Sequence, residues 1–216
     1  MIAARMPRVS ARWRRAGFVL AGVVLILGAC IVAGPIWLPA IGRWLILSGG
    51  EANLSAARAD VIGIPDSAWV SSTIGADRAL FASEWIRQGR AQWVVMTCGP
   101  VYGVSGCELA QESLVARGKP KLPLREVPLP SSPAPVEAAA LLAEVARMGA
   151  KSATILVDPL VSRRMNRVYQ REGKKRGIEV TVLFVPYPGL RAADWWRMRE
   201  ARKAVLFELS QWAGIP

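Results

Sequence analysis

Three short stretches of this chain combine residue types that handle anions or protons. The first, Asp158-Pro159-Leu160-Val161-Ser162-Arg163-Arg164, follows a β-branched run at 154–157 and opens a basic amphipathic segment. A strand feeding a helix there leaves first-turn N–H groups unpaired beside a hydroxyl and two guanidiniums, which suits a phosphate or carboxylate. The competing reading is a solvated basic face over a core stripe of Met165, Val168 and Tyr169. The other two stretches, Pro65-Asp66-Ser67 and Thr97-Cys98-Gly99, each close an apolar run. Asp66, Glu137 and Asp158 are candidate acid–base groups or metal ligands. Candidate ligand-binding residues are Ser67, Arg78, Thr97, Gly99, Asp158, Ser162, Arg163 and Arg164. The chain has no histidine, so triads that use imidazole as base are excluded and a zinc or haem site is not expected; no cofactor is expected.

The elements that must position these residues alternate between strand and helix. Strands are predicted at 60–64, 93–96, 122–127, 154–157 and 179–185, the third an edge strand because Pro123 cannot donate to a ladder. Helices are predicted at 76–88, from the capping box Ser105-Gly106-Cys107-Glu108 to about 117, at 136–148, at 162–172 and at 194–212. In the last of these, Trp195, Met198, Val205, Leu209 and Trp212 fall along one side, as core packing or as a face resting on a lipid interface. This alternation implies an α/β fold, a Rossmann-like, mainly parallel sheet of about five strands with helices on both faces. Ligands of such sheets sit outside the strands' carboxyl ends, where the three stretches fall.

Ahead of this domain lies a different kind of segment. From Ala16 to Gly42 no residue is charged, a span of 27 positions, against the roughly 20 a helix needs to cross a bilayer. Arg5, Arg8, Arg12, Arg14 and Arg15 precede it without an acid, and such a flank stays on the cytoplasmic side. The expected layout is a cytoplasmic basic segment at 1–15, one N-terminal transmembrane helix at 16–42, a juxtamembrane linker at 43–57, and the α/β domain at 58–216. That places the protein in the inner (cytoplasmic) membrane, its N-terminus in the cytoplasm and its C-terminal domain in the periplasm or otherwise extracytoplasmic. Leu27-Gly28-Ala29-Cys30 resembles a lipoprotein cleavage box, but an apolar run follows Cys30 in place of a polar tether.

Charge points to an anionic partner. The net charge is +12, from 28 basic and 16 acidic residues; without the five N-terminal arginines, residues 43–216 carry 23 − 16 = +7. Outside the cytoplasm nucleic acid is not the expected partner, whereas an anionic lipid-linked or nucleotide-like ligand is, alongside the membrane and envelope proteins. Cys98 and Cys107 form a possible disulfide, which would contribute roughly 2.5 to 3 kcal/mol by loop entropy.

These features together carry a resemblance. The order of apolar anchor, RADVIGI strand, Asp77-Arg78 helix, VVMTCG strand, Glu137-Ala138-Ala139 helix start, ILVDPLVSRR and a Trp-rich closing helix resembles the SanA/ElyC/YdcF family across residues 43–211. The resemblance implies a Rossmann-like domain, often on a single anchor, linked to bacterial envelope and surface-polysaccharide biogenesis. The chain departs from the family pattern where chemistry would sit: Val161 stands for the loop histidine, Val157 for the preceding threonine, Pro65-Asp66-Ser67 for a glycine turn, Thr97-Cys98-Gly99 for Ser-Gly-Gly, and Ala134-Pro135 for Asn-Thr. The resulting expectation is an extracytoplasmic domain that binds a phosphate-bearing precursor. Its alternatives are a hydrolase or transferase acting on such a phosphate and a non-catalytic scaffold of an envelope assembly.

Overall fold

Strands buried on both faces need continuous apolar runs, and the chain supplies them at β1 (Val61–Ile64), β2 (Trp93–Cys98) and β6 (Ser152–Val157), whereas the edge strands β5 (Leu124–Pro128) and β7 (Glu179–Phe184) mix apolar with polar residues and are partly exposed. In the computed structural model they form one parallel sheet in the order β5-β2-β1-β6-β7. The structure describes residues 33–34, 36–51, 58–66, 72–101, 103–129, 133–187 and 189–213, apart from the side chains of 72–77. The basic segment 1–15, most of the expected membrane span including Cys30, and Ser67 lie outside the described residues. Among the described residues no helix is long and apolar enough to cross a membrane.

Helical residues 36–45 (α1) are followed by α2 (Ser72–Arg87), α3 (Gly106–Ala116), α4 (Ala134–Arg147), α5 (Ser162–Arg176) and α6 (Arg199–Trp212). Successive strand residues feed opposite layers. Ile62, Ile64, Val94 and Met96 pack with Trp85 of α2 and Leu114 of α3, while Val61, Val95, Ile155 and Val157 pack with Leu141 of α4 and Tyr169 of α5. Gly63 has no room for a side chain: a Cβ there would lie 2.5 Å from Ile155 Cδ1 and 3.0 Å from Leu141 Cδ2. This close approach seats α4 over the centre of the sheet, with Glu137 in its first turn.

Several boundaries differ from the sequence expectation. Helix α2 starts at Ser72 rather than 76. The closing helix starts at Arg199 rather than 194, because the extended backbone of Met198 (φ −95°, ψ 125°) separates it from a 3-10 turn at Trp195–Arg197, and the Asp194 side chain makes no capping bond. The third strand is the expected edge strand, pairing with β2 as Leu124–Pro128. A short hairpin of β3 (Pro100–Val101) and β4 (Val104–Ser105), unforeseen in the sequence, turns through Gly103 at φ 85°.

The larger correction concerns the expected linker at 43–57. Its described first part belongs to the domain: Leu45 is 1% exposed, in a third core cluster with Leu160, Trp195, Ala201, Ala204 and Val205. Burying that leucine contributes roughly 2 kcal/mol. Helix continues past Pro39 to Leu45, since burial of Leu38, Ile41 and Leu45 against α6 offsets the hydrogen bond that proline cannot donate. The Trp195 indole N–H donates to Leu38 O at 2.8 Å, and a Cβ on Gly42 would meet Ala192 O at 2.3 Å. Beyond α1, Phe184 N–H donates to Gly50 O at 2.6 Å, and Glu51 bridges Phe184 in parallel at the β7 edge.

Candidate functional site

The strand order creates a switch point between β1 and β6, since the chain leaves β1 toward β2 on one side and later adds β6 on the other. Ligands of open parallel sheets bind in the crevice outside the carboxyl ends at such a point. There β1 ends and hands over to Pro65 and Asp66. The Asp66 backbone N–H donates to Thr97 Oγ1 at 2.8 Å and to Glu137 Oε1 at 2.6 Å, and Thr97 Oγ1 donates to Glu137 Oε1 at 2.5 Å. Three segments distant in sequence thereby close one triangle: the end of β1, the penultimate residue of β2 and the first turn of α4.

The triangle is rigid because two of its corners are buried. Thr97 and Glu137 are nearly inaccessible, whereas Asp66 is half-buried. Its carboxylate Oδ2 accepts from Gly99 N–H at 3.3 Å. A Cβ on Gly99 would lie 3.0 Å from that same oxygen, so glycine lets the backbone approach the carboxylate. Arg78, fully buried, donates from Nη1 to Pro65 O at 3.3 Å. Burial raises the Asp66 carboxyl above its ordinary value of 3.8 and the charge of Glu137 raises it further, against the opposing pull of the Gly99 N–H and Arg78. Burial likewise pushes the Tyr169 hydroxyl well above 10.0, with Glu137 adding and Arg78 subtracting. The Tyr169 hydroxyl is thus within electrostatic reach of Glu137 and Arg78, the two charges that also act on Asp66.

No protein-family model, curated protein or solved structure matches the chain. The reading of the crevice therefore stands on its own residues. Of the expected site residues, Asp66, Arg78, Thr97, Gly99 and Glu137 come together. Asp158 is buried at the end of β6 and lines a mainly apolar cavity with Leu160, Tyr187, Leu190, Met198 and Glu200.

The expected anion-binding turn after Asp158 is spent on the fold instead. Ser162 Oγ accepts from Leu47 N–H at 2.8 Å and donates to Pro159 O at 2.6 Å. Arg163 Nη2 donates to Ile46 O at 3.4 Å. Arg164 makes a two-pronged pair with Glu208, Nε to Oε2 at 2.8 Å and Nη2 to Oε1 at 2.5 Å, and Glu208 is fully buried. These three residues fasten the segment that follows α1 and the helix α6 to the start of α5, because a desolvated guanidinium needs a carboxylate and Glu208 supplies one. Glu208 was detectable in principle as an acid on the otherwise apolar side of the last helix, between Val205 and Leu209. Tyr169 was read only as core, and nothing in its sequence neighbourhood signalled the influence of Glu137 and Arg78 on it.

Cys98 and Cys107 form a disulfide with Cα atoms 5.6 Å apart. It closes the loop that carries Gly99, and Gly106 N–H donates to Gly99 O at 3.0 Å. Ser105 Oγ caps α3 at Cys107 N–H, 3.1 Å away. The sulfurs lie near Glu126, but joined to each other they offer no thiolate to a metal.

Proposed function

We propose that the chain is a membrane-anchored, extracytoplasmic Rossmann-like domain of the bacterial envelope, binding a phosphate-bearing precursor at Asp66, which the buried Thr97, Gly99 and Glu137 hold in place. The observation that carries this reading is the convergence of three segments on Asp66 at the carboxyl edge of the sheet, beside its switch point. Burial and the charge of Glu137 raise the Asp66 carboxyl above its ordinary value, which widens upward the pH range over which it can donate to a phosphate oxygen. The net charge of +7 over residues 43–216 draws anions toward the domain. The disulfide supports a compartment outside the reducing cytoplasm. The uncharged span at 16–42 behind five arginines supports an anchor with the domain on the far side of the membrane. The motifs shared with the SanA/ElyC/YdcF pattern, Arg78 and Glu137 among them, support envelope biogenesis as the setting.

One observation favours a second reading, a hydrolase or transferase acting on such a phosphate. Asp66 is accessible and its pKa is raised, the combination required of a general acid or base. Both readings are tested with the full chain in detergent micelles, measuring the melting temperature with farnesyl phosphate, ADP or inorganic phosphate, and following phosphate release. Stabilisation by a phosphate ester that disappears in Asp66→Asn supports binding. Turnover abolished in the same variant establishes the enzyme. Stabilisation by none of the three probes overturns the crevice reading and leaves the scaffold.

A further inference from the structure

On the face of the sheet where α2 and α3 pack over β1 and β2, the amino halves of β6 and β7 present polar residues. Their register sets Ser152 beside Glu179 and Thr154 beside Thr181, and the next pair on that face, Leu156 and Leu183, is apolar. A cavity of about 110 Å³ lies over these positions, lined by Thr154, Thr181, Glu179, Leu183 and, from the approach to β1, Arg58 and Ala59. A single water needs roughly 10–15 Å³ and benzene fits an engineered cavity of roughly 150 Å³, so this one suits a molecule of about six heavy atoms. Thr154 is the most buried polar residue of the lining, at 3% exposed, yet among the described residues its hydroxyl has no hydrogen-bond partner, and neither has that of Thr181. Ser152 differs: its hydroxyl donates to Asp60 Oδ2 and accepts from the Asp60 N–H, each at 3.0 Å, and so belongs to the fold. Buried hydroxyls are normally bonded, which leaves Thr154 placed to bond a guest. The exposed Arg58 and Glu179 bring opposite charges to the same cavity and form no ion pair among the described residues.

We infer that this cavity binds a small zwitterion, a short α-amino acid, with its carboxylate between Arg58 and the two threonine hydroxyls and its ammonium at Glu179. A guanidinium and a carboxylate that do not neutralise each other match a ligand carrying both charges, each through a charge-assisted hydrogen bond. Leu183 and Ala59 supply apolar surface for a short side chain. Both threonines stand on paired strands, which fixes the spacing of their hydroxyls without help from a loop. The cavity lies at the amino end of the strands and Asp66 at the carboxyl end, so occupancy here does not depend on phosphate binding there.

The test uses the full chain in detergent micelles, titrated with L-alanine and with two half-ligands, propionate and ethylamine, while melting temperature and heat of binding are followed. The expected result is a rise of several degrees in millimolar alanine and about tenfold weaker binding of either half-ligand. Thr154→Val keeps the branched shape of a buried strand residue and is expected to weaken alanine binding about tenfold, whereas Thr154→Ser retains most of it. Glu179→Gln should remove the preference for alanine over propionate, and Asp66→Asn should leave alanine binding unchanged. Propionate binding as tightly as alanine to the parent chain would mean an anion at Arg58 alone and overturns the assignment. So does alanine without effect on the parent, or equally tight on Thr154→Val, since the cavity then holds only solvent.

Discussion

The ends of β1 and β6 are neighbours on one sheet edge, and each carries an aspartate, a proline and polar groups in the helix that follows. Their fates differ. After β6, the side chains of Ser162, Arg163 and Arg164 meet Leu47, Ile46 and Glu208, and the turn becomes a fastening. After β1, it is the Asp66 backbone that is pinned, by Thr97 and Glu137, while its carboxyl stays half-buried and shifted. A polar turn keeps a side chain partly accessible when the backbone carries most of the restraint, as at Asp66, and becomes scaffold when the side chains themselves find distant partners.

The most severe way to probe this contrast is to remove the fastening. Arg164→Ala leaves the buried Glu208 carboxylate without its guanidinium and is expected to cost about 3–5 kcal/mol, read by urea denaturation, with phosphate-ester affinity unchanged in the molecules that stay folded. Equal loss of affinity there and in Asp66→Asn would erase the distinction between the two turns. Glu137→Ala acts on both stability and site, because Asp66 N–H and Thr97 Oγ1 lose a buried acceptor. About 2–3 kcal/mol is expected, with binding abolished. Replacing Cys98 and Cys107 together by serine should cost about 2.5 kcal/mol by loop entropy and loosen Gly99 against Asp66, so affinity falls along with melting temperature.

The smallest effects are in pH dependence, and they have opposite signs at the two ends of β1. The folded-state pKa of Asp66 is raised, so its contribution to stability is complete below the unfolded value near 3.8 and is lost as pH rises through the raised one. Asp66→Asn should therefore gain melting temperature relative to the parent as pH rises through that window. Asp60, at the amino end, is lowered by the backbone N–H groups of Lys151 and Ser152 and by the Ser152 hydroxyl. Its contribution is present above the unfolded value and fades as pH falls through the lowered one. Asp60→Asn should trail the parent at neutral pH and converge with it in acid.

Much of this architecture was legible because parallel strands covered on both faces read as unbroken apolar runs, as VVM and TILV do here. The crevice was legible for the same reason: Asp66, Thr97 and Gly99 lie at or just beyond the ends of such runs, and Glu137 in a helix start marked by Pro135. What stayed hidden was pairing over distance. Arg164 and Glu208 are 44 positions apart, and no local pattern distinguishes a guanidinium headed for a ligand from one headed for a buried acid. The expected linker was misread likewise, since Leu45 is apolar only in proportion to its neighbours, and its burial depends on α6.

Where the N-terminal chain joins the domain, it is held at three places: the Trp195 indole on Leu38, the Ser162 hydroxyl on Leu47, and the parallel bridge of Gly50 and Glu51 to Phe184. They are spread along the chain and attach to three separate elements. Releasing the N-terminal chain from the domain thus requires breaking contacts with the turn before α6, with the start of α5 and with β7.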